Sequence, residues 1–227
     1  MRINKYLAMH KYCTRREADE MIKKQRVTIN GAVAKLGDQV GEQDVVEVTF
    51  RPRKYRYFAY HKPRGIITHS PQGDEESIED ILPIQGVFPL GRLDKDSYGL
   101  ILLTDDGRIT DPLLNPKYAH EKEYEVTTRR ALPQSFAERM SCGVDIGDYV
   151  TKPCEVEVRG SRSFAIILTE GKKHQIRRMC EALGANVADL KRVRVMNITL
   201  GNLRPGEYRP IQSTELRALL ASIGIPG

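Results

Sequence analysis

The sequence predicts an α+β protein in two parts: a small basic module, then a larger one built on a mixed, mainly antiparallel sheet with flanking helices. Three observations carry this. Short strand-like segments and helical patterns are interspersed with no regular crossover period, which argues against a doubly wound parallel sheet. The formal excess of +6 lies wholly at one end: residues 1–56 hold 13 Lys and Arg against 7 Asp and Glu, while residues 57–227 hold 23 of each. Between the two patterns, TFRPRKYRY is polar, basic and aperiodic. It reads as a linker over 49–56, dividing module 1–48 from module 57–227.

In the first module, RINKYLAMH sets Ile3, Tyr6, Leu7 and His10 at helical spacing. Thr14-Arg15-Arg16-Glu17 then fits a capping box. The helix it opens carries Ala18, Met21 and Ile22 on one side, with Arg15, Arg16, Lys23 and Lys24 at its ends. RVTINGAVAK places Asn-Gly between two alternating segments, a strong hairpin signal. GDQVGEQDVVEV adds a turn and a strand.

In the second module, YFAYHKPRGIIT reads as a strand, a turn and a second short strand. FPLGRLDKDSYGLILLTDDGRITDPLLN reads as an irregular segment, a strand over Leu100–Thr104, an Asp-Gly turn and a short helix. HEKEYEVTT alternates, so His120, Lys122, Tyr124 and Val126 share one side and Glu121, Glu123 and Glu125 the other. PQSFAERMSCG is a helix with Pro133 early and Gly143 near its end; SFAIILT is a strand. EGKKHQIRRMCEALG starts a helix with the apolar stripe Ile176, Met179, Cys180 and Leu183, and His174, Arg177, Arg178 and Glu181 on its polar face. DLKRVRVMNITL is a strand region, and STELRALLAS a capped final helix.

Composition narrows the function. No run approaches the ~18 apolar residues of a membrane span. The opening MRINKYLAMHKYCTRR has no long apolar run and no small-residue cleavage pattern, so no secretory signal and a cytoplasmic location are expected. Cys13, Cys142, Cys154 and Cys180 are scattered without a CxxC pair, which predicts reduced, mostly buried thiols rather than a zinc site or a disulfide framework. There is no Walker loop and no G-x-G-x-x-G, and the five histidines lack helical metal-site spacing, so neither cofactor nor metal is expected. A basic module ahead of a neutral one predicts electrostatic docking to a polyanion.

What remains is polar residues inside well-formed elements: Arg92 and Asp94 before a strand, Tyr124 on a strand and Arg177 at a helix start. On spacing alone, GRLDKDSYG is a turn, Tyr124 a sheet-face tyrosine and Arg177 a surface ion pair with Glu181. A carboxylate, an aromatic platform and a guanidinium are also what an enzyme acting on an extruded base would use. The residues by themselves leave both readings open.

RINKYLAMHKYCTRREADEMIKKQRVTINGAVAKLGDQV resembles the S4 RNA-binding domain across residues 2–48. That resemblance implies structured-RNA binding by a surface to which Arg2, Lys5, Arg15, Arg16, Lys23 and Lys24 contribute. In the larger module, HKPRGIIT, FPLGRLDKDSYGLILLTDDG, HEKEYEV, EGKKHQIRRMCEALG, LKRVRVMNITL and PGEYRPI resemble, in order and spacing, the RsuA/RluB/RluE/RluF family of bacterial rRNA pseudouridine synthases. The RLDKDS-x-GL and HEKEY patterns are closest to the RluF-type branch. The resemblance implies Asp94 as the catalytic aspartate, Tyr124 stacking on the base and assisting proton loss at C5, Arg177 pairing with the aspartate, and Arg92 supporting the loop. Lys172, Lys173, His174 and Arg178 are expected to contact RNA beside them.

The implied reaction converts a uridine to pseudouridine, with 23S rRNA or a ribosome-assembly intermediate as the expected partner and tRNA as a further candidate. It needs no cofactor, and a monomer without membrane association is expected. The rival reading is a non-catalytic S4-type RNA-binding or assembly factor. Joint presence of Asp94, Tyr124 and Arg177 argues against it.

Overall fold

The structure is a computed structural model describing residues 1–49, 54–71, 73 and 75–225. The basic module forms α1 (Ile3–Met9), α2 (Arg15–Lys23), β1 (Val27–Ile29), β2 (Ala32–Val33) and β3 (Val46–Val48). The capping box closes as expected: Glu17 N–H donates to Thr14 Oγ1 at 3.2 Å, and Thr14 N–H to the Glu17 carboxylate at 2.8 Å. Asn30 and Gly31 both take positive φ, 52° and 80°, as a type I′ turn requires. The sheet order is β2-β1-β3, and Ile3, Leu7, Ala18, Ile22, Val27 and Val40 close one small core beneath it. Residues 50–53 of the expected linker lie outside the described residues.

The larger module contains β4 (Tyr57–Lys62), α3 (Ile78–Ile81), β5 (Phe88–Leu90), β6 (Tyr98–Thr104), α4 (Thr110–Leu114), β7 (Lys122–Thr128), α5 (Phe136–Ser141) and β8 (Glu155–Gly160). It continues with β9 (Ser163–Leu168), α6 (Gln175–Ala182), β10 (Val187–Val195), β11 (Ile198–Thr199), β12 (Tyr208–Pro210) and α7 (Ser213–Ser222). Among the described residues nine strands form one sheet of order β12-β4-β6-β10-β7-β9-β8, with β5 on β6 and β11 on β10. Only β6–β10 is parallel; the other pairs are antiparallel.

β6 is buried on both faces, which is why it reads as a continuous apolar run rather than an alternating one. Leu100 and Leu102 join the core under α4 and α7, while Ile101 and Leu103 join the one that contains Ile78 of α3. A separate core, from Val126, Phe164 and Ile166 to Met179 and Cys180, carries α5 and α6. The loop that carries Asp94 is therefore fastened to the most buried strand of the sheet.

Several expectations are corrected. Strand β6 begins at Tyr98, so Tyr98 and Gly99 belong to the strand rather than the turn. Gly99 has φ +108°, and a Cβ there would lie 2.2 Å from the Arg192 carbonyl oxygen; a glycine lets β10 close on this edge. The second strand expected in GIIT reduces to one bridge, Ile67 to Ser77. FPL is strand β5, and β8 had no sequence expectation; its exposed EVEVRG pairs one edge of β9 and lacks a buried face to mark it. The final helix has Gln212 at its cap position and no side-chain cap. Cys13 and Cys180 are buried, but Cys142 is exposed and Cys154 only partly covered.

Candidate active site

Asp94 sits on the loop between β5 and β6, and the loop is held by its backbone. Thr68 Oγ1 accepts the Leu93 N–H at 3.0 Å and donates to the Leu93 carbonyl at 2.9 Å. The Ser97 N–H closes a turn on the Asp94 carbonyl at 3.0 Å. From beneath, the fully buried Lys62 Nζ donates to the carbonyls of Pro63 (3.0 Å), Asp94 (3.2 Å) and Ser97 (2.8 Å). Burial pushes the Lys62 pKa down to about 8; Arg192 pushes the same way, and Asp94 and Asp96 oppose it. With its main chain fixed, the loop leaves the Asp94 side chain 40% exposed.

That carboxylate opens into a cleft of about 510 Å³, also lined by Arg92, Ser97, Tyr124, Glu170, Lys172, Lys173 and His174. Tyr124 lies on β7, opposite Arg192 of β10 and Ile166 of β9. It is half-buried, and its hydroxyl makes no hydrogen bond among the described residues. On the other sheet face, Glu123 and Glu125 pair with Arg159, Arg194 and Lys191, as the alternation of β7 predicts.

The far wall is built by Glu170. This carboxylate is 5% exposed and accepts from the Tyr149 hydroxyl (2.7 Å), the Lys152 N–H (3.0 Å) and Gln175 Nε2 (2.9 Å). Gln175 Oε1 in turn accepts the Lys172 N–H at 2.8 Å. The loop so held presents Lys172, Lys173 and His174 to the cleft. His174 takes φ +54°, and its Nε2 comes within 3.9 Å of Asp94 Oδ1.

Arg177 is placed differently from expectation. Its guanidinium reaches the Asp94 loop three residues further on, donating to Ser97 Oγ at 3.5 Å. It is not within ion-pair distance of Asp94 or of Glu181; the position next to the carboxylate is held by His174. Arg178 turns away to the Ile146 carbonyl and Asp148. Arg2, Lys5, Arg15, Arg16, Lys23 and Lys24 are all exposed on the small module, Lys23 paired with Glu20 at 2.8 Å.

Sequence reasoning missed Lys62, Glu170 and Gln175, and it grouped Arg192 with Lys191 and Arg194 as an RNA-binding basic cluster, whereas Arg192 is 3% exposed. Their signal was a charged or amide side chain at an inward position: Arg192 alternates with Leu190 along β10, and Lys62 ends a strand that is buried almost throughout. Among the described residues no three His, Cys, Asp or Glu side chains group as metal ligands. Burial pushes the thiols of Cys13 and Cys180 up to about 12. Among the described residues no helix is long and apolar enough to cross a membrane.

Comparison with known proteins matches residues 56–182 to the RNA pseudouridylate synthase family and residues 1–46 to the S4 domain. The chain is 41% identical to the dual-specificity RNA pseudouridine synthase RluF of Escherichia coli K12, over 95% of this chain and 77% of that one. It is 35% identical to an uncharacterized RNA pseudouridine synthase of Aquifex aeolicus, over 99% and 96%. A crystal structure of a pseudouridylate synthase superposes with a TM-score of 0.70 at 27% identity, over 98% of this chain and 99% of that one. With an S4 domain in front and a matched synthase domain behind it, the chain belongs to the RNA pseudouridylate synthase family.

Proposed function

We propose that this enzyme isomerises a uridine of 23S rRNA, presented in the mature RNA or in an assembly intermediate, with Asp94 as the catalytic carboxylate. The observation that carries the reading is the shared cleft: Asp94, Tyr124 and Arg92 line one cavity whose rim is Lys172, Lys173 and His174. A cationic rim suits a phosphate backbone, and the cavity size suits a single extruded nucleotide. The reaction breaks the N1–C1′ bond, turns the base and joins C5 to C1′; C5 then loses its proton and N1 gains one. No electron is gained or lost and no group donor is consumed.

The Asp94 carboxylate acts at the ribose, either adding to C1′ or taking a sugar proton as the glycosidic bond breaks. Tyr124 supplies the ring on which the base stacks and a hydroxyl for the C5 proton. Arg177, one hydrogen bond from the loop at Ser97, swings to Asp94 when RNA displaces His174. Arg92 supports the loop from the cleft side. The target must leave its stack first, which costs a few kcal/mol and favours loops and bulges. The exposed cations of residues 1–48 hold the RNA, and residues 57–227 do the chemistry, in a cytoplasmic monomer. The RluF relatives carry "dual-specificity" in their names, which keeps tRNA as a second candidate substrate.

The test is Asp94→Asn. Pseudouridine formation in 23S rRNA fragments is expected to vanish while RNA affinity and melting temperature stay near wild type. Substantial turnover would sink the assignment, and a wild-type protein that binds but never modifies RNA would favour the assembly-factor reading.

A further inference from the structure

Arg192 is 3% exposed and has no carboxylate partner within ion-pair distance among the described residues. A buried, unpaired guanidinium is costly, so its contacts call for a reason. They follow from how β6 is edged. One side of β6 pairs with β4 from Gly99 to Thr104. The other side is shared: β10 covers Tyr98 and Gly99, and β5 covers Leu102 to Thr104. Leu100 falls in the gap between the two ladders. Arg192 fills that gap from β10, donating from Nε to the Leu100 carbonyl at 2.7 Å. Its Nη1 reaches the Arg92 carbonyl at 3.3 Å, two residues before Asp94, and its buried Nη2 has no partner. On the opposite side its backbone pairs with Tyr124.

One residue thus touches the start of β6, the loop of Asp94 and the strand of Tyr124. We infer that Arg192 is a positioning residue, which sets the spacing between the Asp94 loop and Tyr124 by holding the Arg92 and Leu100 carbonyls from one planar guanidinium. The inference rests on the reading of Asp94 and Tyr124 as the reacting pair. It assigns Arg192 no contact with RNA, since the side chain does not line the cleft. A planar fork can serve two carbonyls at once with little loss of freedom; a lysine ammonium in the same place is a point donor on a flexible stem.

The experiment compares Arg192→Met, Arg192→Lys and Asp94→Asn in the full chain, by single-turnover rate at saturating RNA, RNA dissociation constant and melting temperature. Misplacement on the scale of an ångström predicts a rate loss of about 100-fold for Arg192→Met. The dissociation constant should stay within about threefold, and Arg192→Lys should fall between Met and wild type. A folded Arg192→Met or Arg192→Lys protein with the wild-type rate overturns the inference, even if its melting temperature drops. So does a loss of affinity as large as the loss of rate, which would make Arg192 an RNA-binding residue. If Arg192→Met does not fold at the assay temperature, Arg192→Lys decides on the same two criteria. Activity in Asp94→Asn refutes the catalytic reading itself, whereas a dead Asp94→Asn beside a fully active Arg192→Met refutes only the role of Arg192.

Discussion

Two side chains near the cleft test its chemistry from opposite directions. Tyr124 offers an unused hydroxyl on a half-buried ring. If that hydroxyl handles the C5 proton, Tyr124→Phe should keep RNA affinity and lose about 100-fold in single-turnover rate, the lower end of general acid–base contributions. Equal rates for Phe and Tyr would reduce the residue to a stacking platform. Lys62 lies below the loop, and its effect is on stability. Its folded pKa is about 8 against 10.5 for an unburied lysine. Between those values the unfolded chain binds more protons than the folded one, so this group makes stability rise with pH from about 8 to 10.5. Below pH 8 the fold carries the full cost of burying the ammonium, offset by its three carbonyl contacts. Urea midpoints across that range should therefore climb more steeply for wild type than for Lys62→Met. Parallel curves would show that Lys62 keeps an ordinary titration in the fold.

Among the elements, α2 and α6 solve the same problem in different ways. A helix start leaves backbone donors to be satisfied. On α2 the reciprocal Thr14–Glu17 bonds do this, so Thr14→Ala should cost about 1 kcal/mol in chemical denaturation, with little effect on the cleft. A change below measurement error would show that water replaces the cap. On α6 the N-cap position belongs to His174 in a left-handed conformation with no side-chain cap. The neighbouring Gln175 and Glu170 order the approach to that helix instead. Such a conformation in a non-glycine residue is a local cost tolerated where the surroundings impose it, and here it aims the imidazole at Asp94. The capping box was visible in TRRE because it is a local pattern. The start of α6 was also visible, in EGKKHQIRRM, but what orders it was not, because Glu170 is held by Tyr149 and Lys152 from a different segment.

Across the whole molecule the charge is divided before the fold is considered. The net positive charge lies in residues 1–56, and the named basic side chains of the small module are exposed. Deleting residues 1–56 should weaken RNA binding and flatten its salt dependence, by just under one unit of slope per lost phosphate contact. Lys172, Lys173 and Lys191 should leave residual binding. The small module also touches the larger one: Lys11 Nζ donates to the carbonyls of Ile223 (3.1 Å) and Gly224 (2.7 Å) beyond α7, and a Cβ on Gly107 would meet the Thr14 methyl at 2.4 Å. The cleft is lined by residues of the larger module, so the saturating single-turnover rate should change much less than affinity. Salt titrations and single-turnover assays on full-length and truncated protein, with folding verified, check both. An unchanged slope would show that the module does not touch phosphate; a collapsed rate would show that it positions the target.

By itself the sequence determined the α+β class, the capping box, the Asn-Gly hairpin, the apolar stripe of α6 and the alternation of β7. Each is set within a few neighbouring residues by helical or strand periodicity and turn chemistry, so it survives without knowledge of the fold. It also held the ordered motifs by which family membership was read. Only the tertiary structure decided what stands next to Asp94. Lys62, Thr68, Arg192 and His174 reach that loop from four separate segments, and no periodicity relates residues that sheet pairing brings together. That His174 rather than Arg177 stands nearest the Asp94 carboxylate has the same cause: α6 meets the loop at Ser97, a register set by the packing of α6 on the sheet rather than by the order of residues along the chain.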